Sequence, residues 1–407
     1  MSIQIKEKAK CCGCEACVQV CNHRAIRMVE DHEGFRYPIV DSSACIECGL
    51  CEKVCQYNGI PLKHHDEKYV FGGYNINSEV RFESTSGGAF SAIAETFCDE
   101  NYVIFGAKAD GINVFHTFIT DKKDICAFRK SKYSQSVIGD SFKQVKTFLK
   151  EGKKVLFSGT PCQVAGLRSY LNAIHQDRLL TVEVICEGVP SPLYVRKWDE
   201  HLRKHHGFGM ASIDYRYTGN APFQDGKWDF EQLRIIPDKS RRSAIVRDRW
   251  FNPFWSIWLG HLMSRPSCYK CQFTTSDRIA DITLGDLWGV HLYCPELYGR
   301  NGGSSLVVCN TEKGKKAFTK AQKLMYGHEL AFEEALKYQS PMRKSIAENP
   351  DRDRFMQDLQ STLSFNEINR KWAKPPTFKL LWQKYVWGNR QKIFVWELKN
   401  KLKKNNY

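Results

Sequence analysis

The chain has 407 residues, 42% of them hydrophobic, 26% charged and 13% aromatic, enough for two or three globular domains. No apolar run approaches the roughly 20 residues of a membrane-spanning helix, and the opening MSIQIKEKAK lacks the apolar core of a secretory signal, which argues against a membrane-spanning or secreted disulfide protein and points to the cytoplasm. Lys and Arg number 60 against 45 Asp and Glu, a formal charge of +15, and +10 of it lies from Arg370 onward, where eleven basic residues face Glu397 alone.

Nine of the 17 cysteines fall before residue 56. Cys11, Cys14, Cys17 and Cys21 stand as C-x2-C-x2-C-x3-C, and Cys45, Cys48, Cys51 and Cys55 repeat that spacing. In a reducing compartment such clusters are metal ligands rather than disulfides. Four-cysteine zinc sites usually show two CxxC pairs separated by a longer loop. Two tandem runs instead fit cubane iron–sulfur clusters, in which the fourth cysteine of each run serves the other cluster. Cys11, Cys14, Cys17 and Cys55 are therefore expected on one 4Fe-4S cluster, and Cys21, Cys45, Cys48 and Cys51 on the second. Cys12 fits no ligand position and reads as a spare thiol. Residues 1–61 resemble a bacterial-type two-cluster ferredoxin domain, with Asn22 and Gln56 where proline usually follows the fourth cysteine. "GFRYPIV" between the runs predicts a short strand.

Residues 62–78, polar at their start, read as a linker, although "KYVFGGYN" within them has the look of a strand. "STSGGAFSAIAETF" predicts a helix from about Ala89; its Ser/Thr/Gly start suits either a plain cap or close approach of backbone N–H groups to a phosphate. "YVIFGAKAD" and "INVFHTFIT" alternate like paired strands. "FRKSKYSQSVIGDSFKQVKTFLKEG" is a basic loop entering an amphipathic helix that stops at Gly152. In "KKVLFSGTPCQVAGLRSYL" a buried strand turns into a helix with Cys162 at its N-terminus, where the dipole favours a thiolate. "LLTVEVICEGVPSP" is a further buried strand, ending at Cys186. Strand and helix alternate, so an α/β core is expected.

Cys268 and Cys271 form a lone CxxC, which fits half a zinc site, a redox pair or half a cluster site; with Cys162 and Cys186 it would complete four thiols. Cys98, Cys126, Cys294 and Cys309 sit in apolar contexts and read as core. Trp250, Trp255 and Trp258 stand at helical spacing and read as core too, while Asp277, Asp281 and Asp286 are assigned turn and cap roles rather than acid–base work. The histidines, including His64, His65, His205 and His206, lie in polar stretches and read as surface.

Five blocks, "STSGGAFSAIAE", "FRKSKYSQSVIGDSF", "VLFSGTPCQVAGLRSYL", "VICEGVPSP" and "CYKC…SDRIADITLGDLWG", together resemble the beta-subunit family of coenzyme F-420 hydrogenases and dehydrogenases. The resemblance implies an α/β core (an α+β mixed-sheet flavoprotein domain) over 79–320 holding FAD beside a third 4Fe-4S cluster. Cys162, Cys186, Cys268 and Cys271 would be that cluster's ligands; Ser86, Gly87, Gly88, Arg129, Lys132, Tyr133 and Ser136 would approach the FAD. The expected fold is thus that core behind an N-terminal bacterial-ferredoxin-like α+β domain, followed by a helical, basic tail over 321–407. The implied activity is electron exchange between clusters and flavin, with hydride transfer to or from a deazaflavin-like or other small organic molecule. A relay subunit without a substrate of its own is the alternative. Expected partners are a redox protein or ferredoxin and, through the basic–aromatic tail, an anionic membrane surface; no motif supports nucleic acid.

Overall fold

The computed structural model describes residues 2–58, 68–99, 101–172, 177–217, 219, 232–298 and 302–387, together with 391, 394, 395, 398 and 402. Leu62 to Glu67 of the expected linker, with His64 and His65, lie outside the described residues, as does much of the final tail.

The chain opens with an antiparallel hairpin, β1 (Ile26–Glu30) and β2 (Arg36–Val40), between the two cysteine runs. The main sheet follows: β3 (Tyr69–Asn75), β4 (Tyr102–Asp110), β5 (Asn113–Ile119), β6 (Lys154–Gly159) and β7 (Leu179–Val184). A smaller antiparallel sheet then intervenes, with β8 (Met210–Tyr217), β9 (Gln232–Pro237) and β10 (Ile245–Asp248). The main sheet is completed by β11 (Ile282–Asp286), β12 (Ser305–Cys309) and β13 (Met325–Glu329). Its order is β13-β3-β12-β11-β7-β6-β4-β5. The four strands β4, β6, β7 and β11 run parallel, and the outer pairings are antiparallel. This is a mixed α/β architecture.

The apolar runs of the parallel strands explain their place. Val155, Leu156 and Phe157 of β6 and Val182 of β7 have no exposed surface, as expected where both faces of a parallel sheet are covered. The strand β3 falls within the span expected as linker. It reads V-F-G-G between Tyr69 and Tyr74, is buried over Val70–Gly73 and lies between β12 and β13. β13 likewise extends the sheet beyond residue 320.

The N-terminal region does not keep a core of its own. Ile3, Ala16, Ile26 and Val54 pack in the same apolar cluster as Phe142, Val164, Leu167 and Phe273. Trp255 and Trp258 of the helix Pro253–Leu259 are buried among Tyr133, Tyr194, Phe254 and Phe355, in keeping with a core role. Cys294 and Cys309 are buried, whereas Cys126 is exposed and Cys98 half-buried. Cys126, inside the turn Lys122–Phe128, corrects the core reading there, whereas Cys98, just after the helix Ala89–Phe97, packs half-buried against the core. Asp281 accepts from Thr181 N and Oγ1 (2.9 and 2.8 Å) and Asp286 pairs with Arg216 at 2.7 Å, so both serve structure.

Candidate metal centre

The helix Pro161–Leu171 begins directly after β6, and Cys186 follows β7 by two residues. Both thiols therefore sit at the carboxyl ends of adjacent parallel strands, where open α/β sheets gather ligands. Cys268 ends up beside them on the short helix Pro266–Tyr269, with Cys271 just after it. Burial pushes the Cys186 thiol up, and Cys268, Cys162 and Cys271 add to the rise. The Cys268 thiol is pushed up to about 12 and that of Cys271 to about 11, by burial first, with Cys162 acting on each. These four thiols thus form one electrostatic group.

Near the N-terminus a second group assembles. Burial raises the Cys17 thiol well above its ordinary value, and Cys14, Cys11, Cys55 and Cys51 raise it further. Cys55 is pushed up to about 11 by burial, with Cys14 and Cys11 contributing. Cys21, Cys45, Cys48 and Cys51 line a single cavity with Ser2, Ala25, Gly49 and Leu50. Cys51 of that cavity also acts on Cys17 and Cys55, so the two N-terminal thiol groups adjoin. Within this cavity Cys48 is exposed and Cys51 buried.

The sulfurs are also dressed for a bound metal. Nearby backbone amides favour the charged thiolate: Gly13 beside Cys11, Ala16 beside Cys14, Tyr57 beside Cys55, Gly188 beside Cys186, Val189 beside Cys268, and Phe273 and Thr274 beside Cys271. Ala25 N donates to Cys21 Sγ at 3.4 Å and Ile3 N to Cys51 Sγ at 3.3 Å. Such donors stabilise thiolate charge, and a coordinated metal removes the thiol proton outright. The donor set suits iron–sulfur clusters.

Three residues between the groups escaped sequence reasoning. The Cys12 thiol, buried at 8% exposure, is raised well above its ordinary value by the neighbouring Cys14 and Cys162 thiols and by burial. In turn, Cys12 is the main reason the Cys14 thiol is lowered and that of Cys162 is held down to about 7. Gln56 Nε2 donates to Cys12 Sγ, which gives the residue standing in the usual proline position a use. Arg265, 1% exposed, donates to Cys11 O at 2.9 Å, to Gln135 Oε1 at 2.9 Å and to Arg36 O at 3.0 Å, and its Nη2 lies 3.8 Å from Cys11 Sγ. Its charge is felt at Cys162 and Cys268 as well. The doubled Cys11-Cys12 and the arginine three residues before Cys268 were the available signals, and neither has a spacing rule.

The residues expected at the flavin divide. Their two blocks do meet: Ser131 N donates to Thr85 Oγ1 at 2.8 Å, and Arg129 donates to Ser91 Oγ at 3.0 Å and to Glu83 at 2.6 Å. The far end of the second block reaches the thiols, with Gln135 Nε2 donating to Cys12 O at 2.7 Å. Lys132 is a half-buried cation whose Nζ donates to the carbonyl oxygens of Arg129 (2.6 Å) and Lys130 (3.3 Å). Burial, then Lys130, lowers it to about 8. Other members are committed within the protein. Ser86 Oγ donates to Ser304 O at 2.8 Å, and Gly87 N to Ser305 Oγ at 2.9 Å. A Cβ on Gly87 would meet Gly73 O and Ser305 N at 2.5 Å, so this glycine permits backbone packing. Gly88 caps the helix Ala89–Phe97 in the left-handed conformation. The Tyr133 ring packs against Tyr215, Trp255 and Trp258. Ser136 Oγ lies between His116 Nδ1 (2.9 Å) and Gln163 Nε2 (2.8 Å).

A large mixed sheet with grouped, amide-dressed thiols defines an iron–sulfur protein of α/β type. Residues 10–59 match the family model of the 4Fe-4S dicluster domain, and residues 152–333 match the model for the C-terminal part of the beta subunit of coenzyme F420 hydrogenase/dehydrogenase. The chain thus carries a match to the dicluster domain in front of a segment that matches the C-terminal part of this beta subunit. A solved chain of the F420-reducing [NiFe] hydrogenase complex from Methanosarcina barkeri, in a xenon-derivatised form, is similar with a TM-score of 0.43 and 15% identity, covering 77% of this chain and 94% of that one. No curated protein matches the chain.

Proposed function

We propose that the chain is an iron–sulfur flavoprotein oxidoreductase. Cys11, Cys14, Cys17 and Cys55 would hold one cluster, Cys21, Cys45, Cys48 and Cys51 a second, and Cys162, Cys186, Cys268 and Cys271 a third. FAD would lie along the 84–91 and 129–136 segments, with Arg129 and Lys132 facing its phosphates. Cubane clusters supply one-electron capacity, and a flavin joins it to two-electron hydride chemistry with a deazaflavin-like or other organic molecule. The observation that carries this reading is the close packing of Cys14 on Gly166 of the helix that carries Cys162, where a Cβ on Gly166 would lie 2.9 Å from Cys14 Cβ, which makes the two thiol groups neighbours.

The chain's own residues keep that junction dry and oriented: Gln56 fixes the Cys12 sulfur, and Gln135 ties the 129–136 segment to both Cys12 and Arg265. Beside Cys48, Ile46 and Leu50 are exposed by 62% and 40%, an apolar rim suited to a redox partner. That rim also favours the second reading, a relay subunit without a substrate of its own. Turnover of a deazaflavin by the isolated, reduced chain separates the two.

The test is anaerobic purification followed by measurement of iron, sulfide, zinc and released flavin. About twelve irons with flavin, the content of three cubanes, supports the proposal. About eight irons without flavin removes the core cluster and the flavin, and zinc in place of iron overturns the redox reading. Cys268→Ser should lose about a third of the iron while the dicluster signals persist; unchanged iron would refute the third site.

A further inference from the structure

Away from these thiols, Cys294 follows the helix Val290–Tyr293, Glu296 lies in the next turn, Pro295–Leu297, and His328 comes from β13 at the sheet edge. Cys294 Sγ is 3.0 Å from His328 Nε2 and 3.2 Å from Glu296 Oε1, and the last two atoms are 3.5 Å apart. We propose that these three side chains form a mononuclear site for a divalent ion of zinc type, separate from the iron–sulfur centres.

Sulfur, imidazole and carboxylate are the donor types that zinc accepts. Tetrahedral bonds of roughly 2.0–2.3 Å would set such ligand atoms roughly 3.3–3.8 Å apart, so the triangle needs to open by only a few tenths of an ångström. No other His/Cys/Asp/Glu group among the described residues brings three ligand atoms this close. Cys294 is buried while Glu296 and His328 are exposed, leaving the outer side open for a fourth ligand such as water. The ion would tie the 294–297 turn to the edge strand 34 residues later. A thiol–imidazole–carboxylate hydrogen-bond cluster without an ion is the competing description.

The holoprotein, purified without oxygen, is incubated with zinc, passed through a desalting column, and assayed for zinc and iron together. The expected result is one retained zinc per chain with iron unchanged, and its loss in both Glu296→Gln and His328→Asn, surface changes that leave the clusters' iron in place. Cys294→Ser should abolish retention as well. If the wild type retains no zinc, the hydrogen-bond description stands and the site falls. Zinc retained equally by the wild type and the variants, or gained as iron is lost, places the metal on the cluster thiols and also overturns the proposal.

Discussion

A guanidinium with 1% exposure must be matched by its surroundings, and Arg265 is matched by two carbonyls, an amide and a sulfur. A fixed positive charge near a cluster favours its reduced, more negative state. Arg265→Gln should therefore lower the potential of the N-terminal cluster by at least about 59 mV, the equivalent of 1.4 kcal/mol in a one-electron couple. Arg265→Lys, which keeps the charge, should stay near the wild type. EPR-monitored titration reads both, and an unshifted potential at full iron content in the glutamine variant would contradict the electrostatic role. His116 acts on stability instead. Burial lowers it from 6.5 to about 4. Its Nε2 lies 3.0 Å from Ser158 O, and its Nδ1 lies 2.9 Å from Ser136 Oγ. The folded value lies below the unfolded one, so the unfolded chain binds the proton first. Stability is full above about pH 6.5 and falls as pH drops toward 4, by about 3 kcal/mol across that window. Denaturant titrations at several pH values should show that slope, reduced in His116→Asn.

At the scale of elements, the parallel strands were legible because both of their faces are covered: a run such as V-L-F in β6 needs no partner to be recognised. The helix after it was legible from its Thr-Pro start, and Thr160 with Gln163 indeed forms a capping box. What the helix touches was not legible. Gly166 faces Cys14, and a Cβ there would lie 2.9 Å from Cys14 Cβ and 3.0 Å from its Sγ. Helix propensity alone would make Gly166→Ala stabilising by about 1 kcal/mol. The contact reverses the sign: the variant should assemble less iron and melt lower. Raised melting with full iron would show that Cys14 yields easily. The four core thiols could be gathered from strand ends and the CxxC, whereas Cys12, Gln135 and Arg265 meet only through tertiary packing. For the serines and glycines expected at the flavin, close strand packing and phosphate approach ask for the same small residues, so the sequence alone does not separate the two.

For the whole molecule, no described helix is long and apolar enough to cross a membrane. The tail nevertheless exposes Phe378 by 78%, Trp382 by 50%, Trp387 by 52%, Phe394 by 62% and Leu402 by 59%, interleaved with most of the excess positive charge. Burial of that apolar face with basic residues toward headgroups suits an anionic bilayer. Removal of residues 375–407 should abolish co-sedimentation with phosphatidylglycerol vesicles, which added salt should also weaken, without changing iron content. Equal sedimentation of the full and shortened chains would dismiss the anchor. One further feature of the whole is the clamp on the N-terminal region: Glu33 receives both guanidinium nitrogens of Arg352, at 3.0 and 2.7 Å, with both residues buried, while Ser191 Oγ donates to Glu33 O. On the ribosome Glu33 is made 319 residues before its partner. Until Arg352 emerges, the hairpin between the two cysteine runs lacks this buried ion pair, so that region completes its packing only after most of the chain has been made.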